Sequence, residues 1–325
     1  MILAAGLGTR IRPFSGLRAK PALPVRGRPV ISLLLQFLAT QGARQVMINL
    51  HHRPDTIRAA VASDCPADLD ITWSEEPVPL GTGGGIRQAA DFLAEEEACV
   101  VMAGDMLLDL DLAGLFEAHR ASGRDVTLLL HDDLRSGDFG TIGVDAHGDI
   151  QRIGRRLVDR GRLGKRAPER YRGLFTGVRF FSRRAFENWP GDAVFEDLRD
   201  WIVPGIEAGI LSVGAERVDA GRIVWEPVGT PAEYLRINLC PPSLPRLGGS
   251  ARNWEGDVEV RGPDHDVIVS RMARVPSDVA LARCVVWDGE EIPGGFRGHD
   301  GVFAGGRFRS CLESEEPTRE ARSGH

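Results

Sequence analysis

Apolar runs and turn-forming residues alternate regularly through the first two thirds of the chain. Residues 1–5 form a short apolar run that ends in glycines, the pattern of a buried strand leaving into a loop. Pro29 sits at a helix start, residues 30–38 are apolar almost all round, and Gly42 closes that helix. Residues 45–50 read as a strand, 54–62 as a helix, 69–73 as a strand, 86–94 as a helix and 99–103 as another buried strand. This β-α-β-α order predicts a mainly parallel sheet with helices on both faces, a three-layer α/β fold. Such sheets bind ligands beyond the carboxyl ends of their strands. The loop after Ala5 and Asp105 after Ala103 both fall there.

The pattern then changes. Residues 126–181 are richer in strand signals and carry a basic segment, 152–172, which reads as a substrate-side insertion with an exposed loop. Helices are expected over 182–188, 196–208 and 232–239, with a strand over 223–228 that ends at Gly229-Thr230-Pro231. Pro241-Pro242-Ser243-Leu244-Pro245, followed by Gly248-Gly249, is a linker signal. Beyond it, short apolar pairs separated by turns recur without a helical period, which predicts the coils of a small β-solenoid. The polar tail 309–325 is expected to be disordered. The expected units are therefore 1–240, a linker and solenoid over 241–308, and a tail over 309–325.

Composition narrows the function classes. Hydrophobic residues make up 42% of 325, enough for a substantial core, and the net charge of −6 argues against a general nucleic-acid binder. The leading apolar run has no basic region before it and is too short for a signal peptide, and no run is long enough to span a bilayer. The five cysteines are scattered without a Cys-x-x-Cys pair, so neither zinc nor a disulfide framework is indicated. A cytoplasmic protein with no membrane or nucleic-acid partner is the expectation.

The candidate chemistry starts in the first loop. Gly6 and Gly8 let the backbone turn sharply and approach a ligand, and exposed N–H groups in such a turn form an anion-binding concavity. Arg10, Arg12, Arg18 and Lys20 follow closely. Glycines plus cations make a cradle for a polyphosphate. Two common phosphate loops are excluded: no Gly-Lys-Ser or Gly-Lys-Thr follows at Walker spacing, and the third glycine of the dinucleotide fingerprint is Ile11. The full stretch from Leu3 to Pro24 resembles the signature of the sugar-phosphate nucleotidyltransferases, Leu-Ala-Ala-Gly-x-Gly-Thr-Arg-Leu followed by Pro-Lys-Pro. Gly6, Gly8, Thr9, Arg10, Lys20 and Pro21 match, while Ile11 replaces Leu and Ala19 replaces the first Pro.

The resemblance implies a Rossmann-like nucleotidyltransferase fold with a left-handed β-helix-like appendage. It also implies transfer of a nucleotidyl group from a nucleoside triphosphate to a sugar 1-phosphate, with Mg²⁺ as cofactor. Asn49-Leu50-His51-His52 is similar to a stretch in the mannose-1-phosphate guanylyltransferase and N-acetylmuramate-1-phosphate uridylyltransferase branch. Guanylyl transfer to mannose 1-phosphate is the first expectation; uridylyl transfer to another sugar 1-phosphate, or a non-catalytic sugar-nucleotide-binding subunit, are the alternatives. A homo-oligomer is a further implication, because β-helix coils commonly stack between subunits in such enzymes.

By the same resemblance, Arg10 and Lys20 are the catalytic cations. Leu3, Ala5, Gly6, Gly8, Thr9, Glu76, Gly81 and Thr82 would hold the nucleotide, Glu76 standing five residues before Gly81 in Pro79-Leu80-Gly81-Thr82. Gly83-Gly84-Gly85 then opens the helix at Ile86, an arrangement suited to close backbone approach. Gly140, Thr176, Gly177 and Glu196 would contact the sugar. The family's Glu-Lys-Pro is absent, and Arg155 stands near its place. Asp105 is the expected metal carboxylate, although Ala103 replaces the Asn of the usual Asn-Gly-Asp. The second comes from Trp-x-Asp-x-Gly-Thr-Pro, which here reads Trp225-Glu226-Pro227-Val228-Gly229-Thr230-Pro231. Pro227 cannot ligate a cation, and Glu226 serves only if a bulge turns it round. Asp109 and Asp111 read as caps of the following helix.

Overall fold

The computed structural model describes residues 1–133, 141–159, 167–263 and 266–312. The apolar runs become strands of one ten-stranded mixed sheet. In its N-terminal half Ala98–Ala103, Ile2–Leu3, Gln45–Leu50 and Asp70–Glu75 lie side by side and parallel, with Leu3 opposite Ala103 and Ile2 opposite Ile48. The long strand Tyr171–Ser182 runs antiparallel to Ala98–Ala103 and carries the sheet into the strand-rich insertion. Helices Val30–Thr40, Pro54–Ser63 and Leu112–Ser122 form between strands of this sheet, and helix Pro231–Leu239 follows its last strand in sequence.

Strand alternation builds the layers. Along Ala98–Ala103, Val101 packs into one apolar cluster and its neighbour Met102 into another. Phe181 and Phe180 divide in the same way on the adjoining strand. Two clusters on opposite faces make the expected three-layer α/β core. The expected 196–208 helix forms as a wide-turned segment, Asp197–Ile202, that runs on into Val203–Glu207. No helix among the described residues is long and apolar enough to cross a membrane.

After the proline-rich stretch the chain forms a separate five-stranded sheet: Val258–Arg261, Val267–Ser270, Ala280–Val286, Arg297–Ala304 and Arg307–Ser310. Its three middle strands are parallel, with Val267 opposite Cys284 and Cys284 opposite Gly301. Arg309 and Ser310, expected to be disordered, pair with Val302 and Gly301 in the last strand. Their polar side chains are compatible with a half-exposed edge strand, whose backbone supplies the pairing. Residues 313–325 lie outside the described residues.

The linker signal is tied down. Leu244 is buried and exchanges backbone hydrogen bonds with Gly249. Arg246 binds buried Asp109 through its backbone N–H and its guanidinium, at 2.7 and 2.8 Å. Asp109 is therefore a linker anchor rather than a helix cap; of the two, Asp111 caps, accepting from Gly114 N–H at 3.1 Å.

One core cluster runs unbroken from Ile2 and Phe14 through Tyr234 and Trp254 to Trp287, Val302 and Cys311. Tyr234 is its fulcrum. The fully buried hydroxyl donates to Pro24 O at 2.6 Å and accepts from Trp287 Nε1 at 2.9 Å. Burial pushes the phenol well above its ordinary pKa, so it stays neutral and can do both. Tyr234→Phe would orphan a buried carbonyl and a buried indole N–H. The expected loss is about 1–3 kcal/mol of unfolding free energy, measured by urea denaturation; an unchanged midpoint would contradict this role.

Candidate active site

A cleft of about 410 Å³ opens at the carboxyl ends of the parallel strands. Its floor is the first loop. Gly8 has φ +61, and a Cβ there would lie 3.0 Å from the Ser15 Cβ, so the turn requires glycine. Gly6 has open space around its Cα, which leaves its backbone approachable. Leu3, Ala5, Gly6, Gly8, Thr9 and Arg10 all line the cleft. Arg10 projects from an exposed turn.

Lys20 enters from a short helical turn anchored by a hydrogen bond from Ala19 N–H to Thr56 Oγ1. Its side chain is largely buried, and its ammonium contacts the Asp105 carboxylate directly. Asp105 reaches it because Gly104 packs under Ile2 and Leu3, where a Cβ would meet Leu3 O at 2.9 Å. The sequence thus delivers a cation and a carboxylate from residues 85 positions apart to one spot.

The wall by Glu76 is prearranged. Ala4 N–H donates to Asn49 Oδ1 at 2.6 Å, Asn49 Nδ2 donates to Glu76 Oε1 at 2.6 Å, and Leu80 N–H donates to Glu76 Oε2 at 3.1 Å. This chain of bonds fixes the carboxylate against the first loop. Asn49 was read only as a marker of subgroup; its place beside Ala4 follows from neighbouring parallel strands, which sequence spacing does not reveal.

The glycine triplet behaves differently from expectation. Gly83, Gly84 and Gly85 lie inside a helix, Gly81–Gln88, that starts five residues before Ile86. They admit protein neighbours rather than a ligand. A Cβ on Gly83 would meet the Phe195 ring at 2.3 Å, one on Gly84 would meet Ala193 O at 2.7 Å, and one on Gly85 would meet Glu76 Oε1 at 2.6 Å. This packing brings Thr82 to the opposite wall. Thr82 Oγ1 lies 2.7 Å from Glu196 and 2.6 Å from Asp197, and accepts from Asp197 N–H at 3.0 Å. Its single proton serves one carboxylate at a time.

Gly177, at φ +84, also lines the cleft, where a register shift between Phe175 and Arg179 bends the strand. Thr176 is turned inward instead: its hydroxyl donates to Leu129 O at 3.0 Å and its carbonyl accepts from Trp225 Nε1 at 2.8 Å. Arg155 is exposed in a hairpin turn and is not among the residues lining the cleft. Gly140 lies outside the described residues.

Glu226 is also away from the cleft. Trp225 and Pro227 face the interior, so alternation puts Glu226 on the other side, where Arg236 binds its carboxylate at 2.5 Å. The regular pairing of Glu226 with Leu107 and of Pro227 with Met106 contains no bulge to turn it back. Arg179 was missed by the sequence reading. It is 5% exposed, lines the cleft, and pairs with buried Asp197. The signal was a lone cation inside the apolar run Val178–Phe181.

Residues 1–154 match the model of the family described as nucleotidyl transferase. The chain is 28% identical to the mannose-1-phosphate guanylyltransferase of Mycobacterium tuberculosis, over 91% of this chain and 81% of that one. It is 26% identical to the UTP–glucose-1-phosphate uridylyltransferase of Synechocystis, over 86% of this chain and 76% of the relative. Among solved structures, HddC from Yersinia pseudotuberculosis complexed with GMP-PN shares the fold, with a TM-score of 0.58 at 23% identity. That likeness covers 73% of this chain and 96% of HddC.

The glycine helix gives a direct test of the site's architecture. Gly83→Ala must displace Phe195 and with it the Glu196–Asp197 wall. The expected cost is about 1–3 kcal/mol of stability from overpacking, read by denaturant unfolding, while Gly6→Ala, with open space at its Cα, should leave stability nearly unchanged. Equal stabilities for the two variants would contradict the packing role.

Proposed function

We propose that this protein is a nucleotidyltransferase that joins a nucleoside monophosphate unit to a sugar 1-phosphate. One observation carries the reading: the glycine loop, Arg10, Lys20 and Asp105 converge in a single cleft at the carboxyl ends of the parallel strands. An oxygen of the sugar phosphate attacks the α-phosphorus, the bond to the β-phosphate oxygen breaks, and pyrophosphate leaves. The chemistry needs positioning and charge stabilisation more than proton transfer. In this reading the N–H groups around Gly6 and Gly8 hold phosphate oxygens, Arg10 offsets the departing pyrophosphate, and Lys20 offsets charge at the reacting centre. Glu76, Gly81 and Thr82 flank the nucleoside, and Gly177 and Glu196 flank the sugar.

The donor set suits a hard divalent cation held mainly by substrate. Asp105 is half-exposed in the cleft, whereas Pro227 and Glu226 supply no second carboxylate there. No group of three or more His, Cys, Asp or Glu able to hold a metal occurs among the described residues. Mg²⁺ accepts one or two carboxylates and takes its remaining ligands from phosphates and water. Asp105 would hold it, and the ion would supply charge neutralisation between the two anionic substrates. The extended likeness to the mycobacterial relative favours GTP and mannose 1-phosphate as the pair, with uridylyl transfer next. The C-terminal sheet is read as a short solenoid, because Val267–Cys284, Arg274–Glu291 and Cys284–Gly301 repeat one 17-residue parallel spacing.

Pyrophosphate release tests this assignment. Lys20→Ala should lower turnover by about a hundredfold or more with the fold intact, since one lost electrostatic contact at the transition state costs roughly 3 kcal/mol. Near-normal turnover in the folded variant would remove Lys20 from the mechanism. Chelation should abolish activity. Asp105→Asn should require far more Mg²⁺ than wild type, and Glu226→Gln should titrate like wild type. Full activity of Asp105→Asn at limiting metal would reject the proposed ligand.

A further inference from the structure

The C-terminal sheet is seated on the segment that joins Arg10 to Lys20. Trp287 packs its ring near Phe14, with centroids 6.0 Å apart, and Arg18 lies over the same indole at 4.9 Å. Arg18 Nη2 donates to both oxygens of Asp288, at 2.7 and 2.8 Å. Two residues further on, Glu290 accepts from Gly305 and Gly306 N–H at 2.7 and 2.8 Å, which fixes a turn against Leu17. A Cβ on Gly305 would come within 2.9 Å of the Leu17 side chain, so the approach is close. Through Tyr234, Trp287 is also linked to Pro24 O. Contacts at Phe14, Leu17, Arg18 and Pro24 therefore bracket Lys20 on both sides in sequence. Arg18 is not among the residues lining the catalytic cleft; it faces the sheet.

We propose that Trp287 and Asp288 are positioning residues for the reaction: they hold residues 14–24 from behind and thereby set where the Lys20 ammonium stands in the cleft. The inference rests on the catalytic reading of Lys20 given above. Its physical basis is that misplacing a charged group by about 1 Å costs up to about a hundredfold in rate. Residues 14, 15 and 19–25 are buried on the catalytic domain's side, and the sheet holds the same segment from the other side through Trp287 and Asp288.

The experiment is steady-state pyrophosphate release by the full chain well below its melting temperature. Arg18→Asp and Asp288→Arg each place like charges together and should lower kcat about tenfold, with both KM values within about twofold of wild type. The double variant Arg18→Asp/Asp288→Arg restores the pair in reverse and should recover kcat to within about twofold of wild type. Trp287→Leu should lower kcat in the same way, and Trp287→Phe, which keeps an aromatic ring under Arg18, should recover part of it. If the charge reversals fail to fold, the two Trp287 variants decide. Unchanged kcat in folded single variants, with only melting temperature altered, overturns the proposal. A double variant no better than the worse single does the same. A wild type without turnover overturns the functional reading, and this inference with it.

Discussion

Lys20 and Asp105 meet because two adjacent parallel strands end level with each other. Leu3 stands opposite Ala103, and both chains leave the sheet through glycine, so a cation-bearing loop and a carboxylate emerge side by side. Everything else in the cleft is arranged around that junction. Gly104 allows Asp105 to stay close to the first strand, and Gly8 turns the loop back toward Lys20. The ion pair also gives each charge a partner when no substrate is present. A lone, largely buried ammonium would be costly. In the proposed reaction, bound phosphates would take over the neutralisation of Lys20, and a divalent cation that of Asp105.

The two walls differ in construction. On one side, the bonds from Ala4 through Asn49 to Glu76 and Leu80 lock a carboxylate to the first loop itself. On the other, Thr82, Glu196, Asp197 and Arg179 form a charged network supported by a glycine-rich helix and the Phe195 ring. Buried charges of this kind are tolerated only as a satisfied set. Residues of both walls, Glu76 on one side and Thr82, Arg179 and Glu196 on the other, line the same cleft. Trp287 and Asp288, at the end of a strand of the C-terminal sheet, pack on the same loop from outside the cleft.

Much of this was legible because it is local. The run into Gly6 and Gly8, the cations after it, and an aspartate after a buried strand are patterns of neighbouring residues, and the structure gathers them. Strand alternation made the position of Glu226 legible as well. What could not be read is what depends on distant partners. Gly83 to Gly85 suit ligand approach or tight packing equally well, and only Phe195 and Ala193 decide. Arg179 is one charge in an apolar strand until Asp197 is placed beside it. Thr176 and Gly177 are adjacent, yet a register shift gives one to the core and the other to the cleft. The proline-rich stretch looked like a free linker because its anchor, Asp109, lies 137 residues before Arg246.

The central claim is that a sugar phosphate oxygen attacks the α-phosphorus of a nucleoside triphosphate in this cleft. Its most direct measurement uses sugar 1-phosphates labelled with ¹⁸O in the phosphoryl group, each paired with GTP or UTP, with products analysed by mass spectrometry. The account predicts a nucleotide sugar that carries all of the label and pyrophosphate that carries none. Label in the pyrophosphate, or no nucleotide sugar from any pairing in the presence of Mg²⁺, would contradict it.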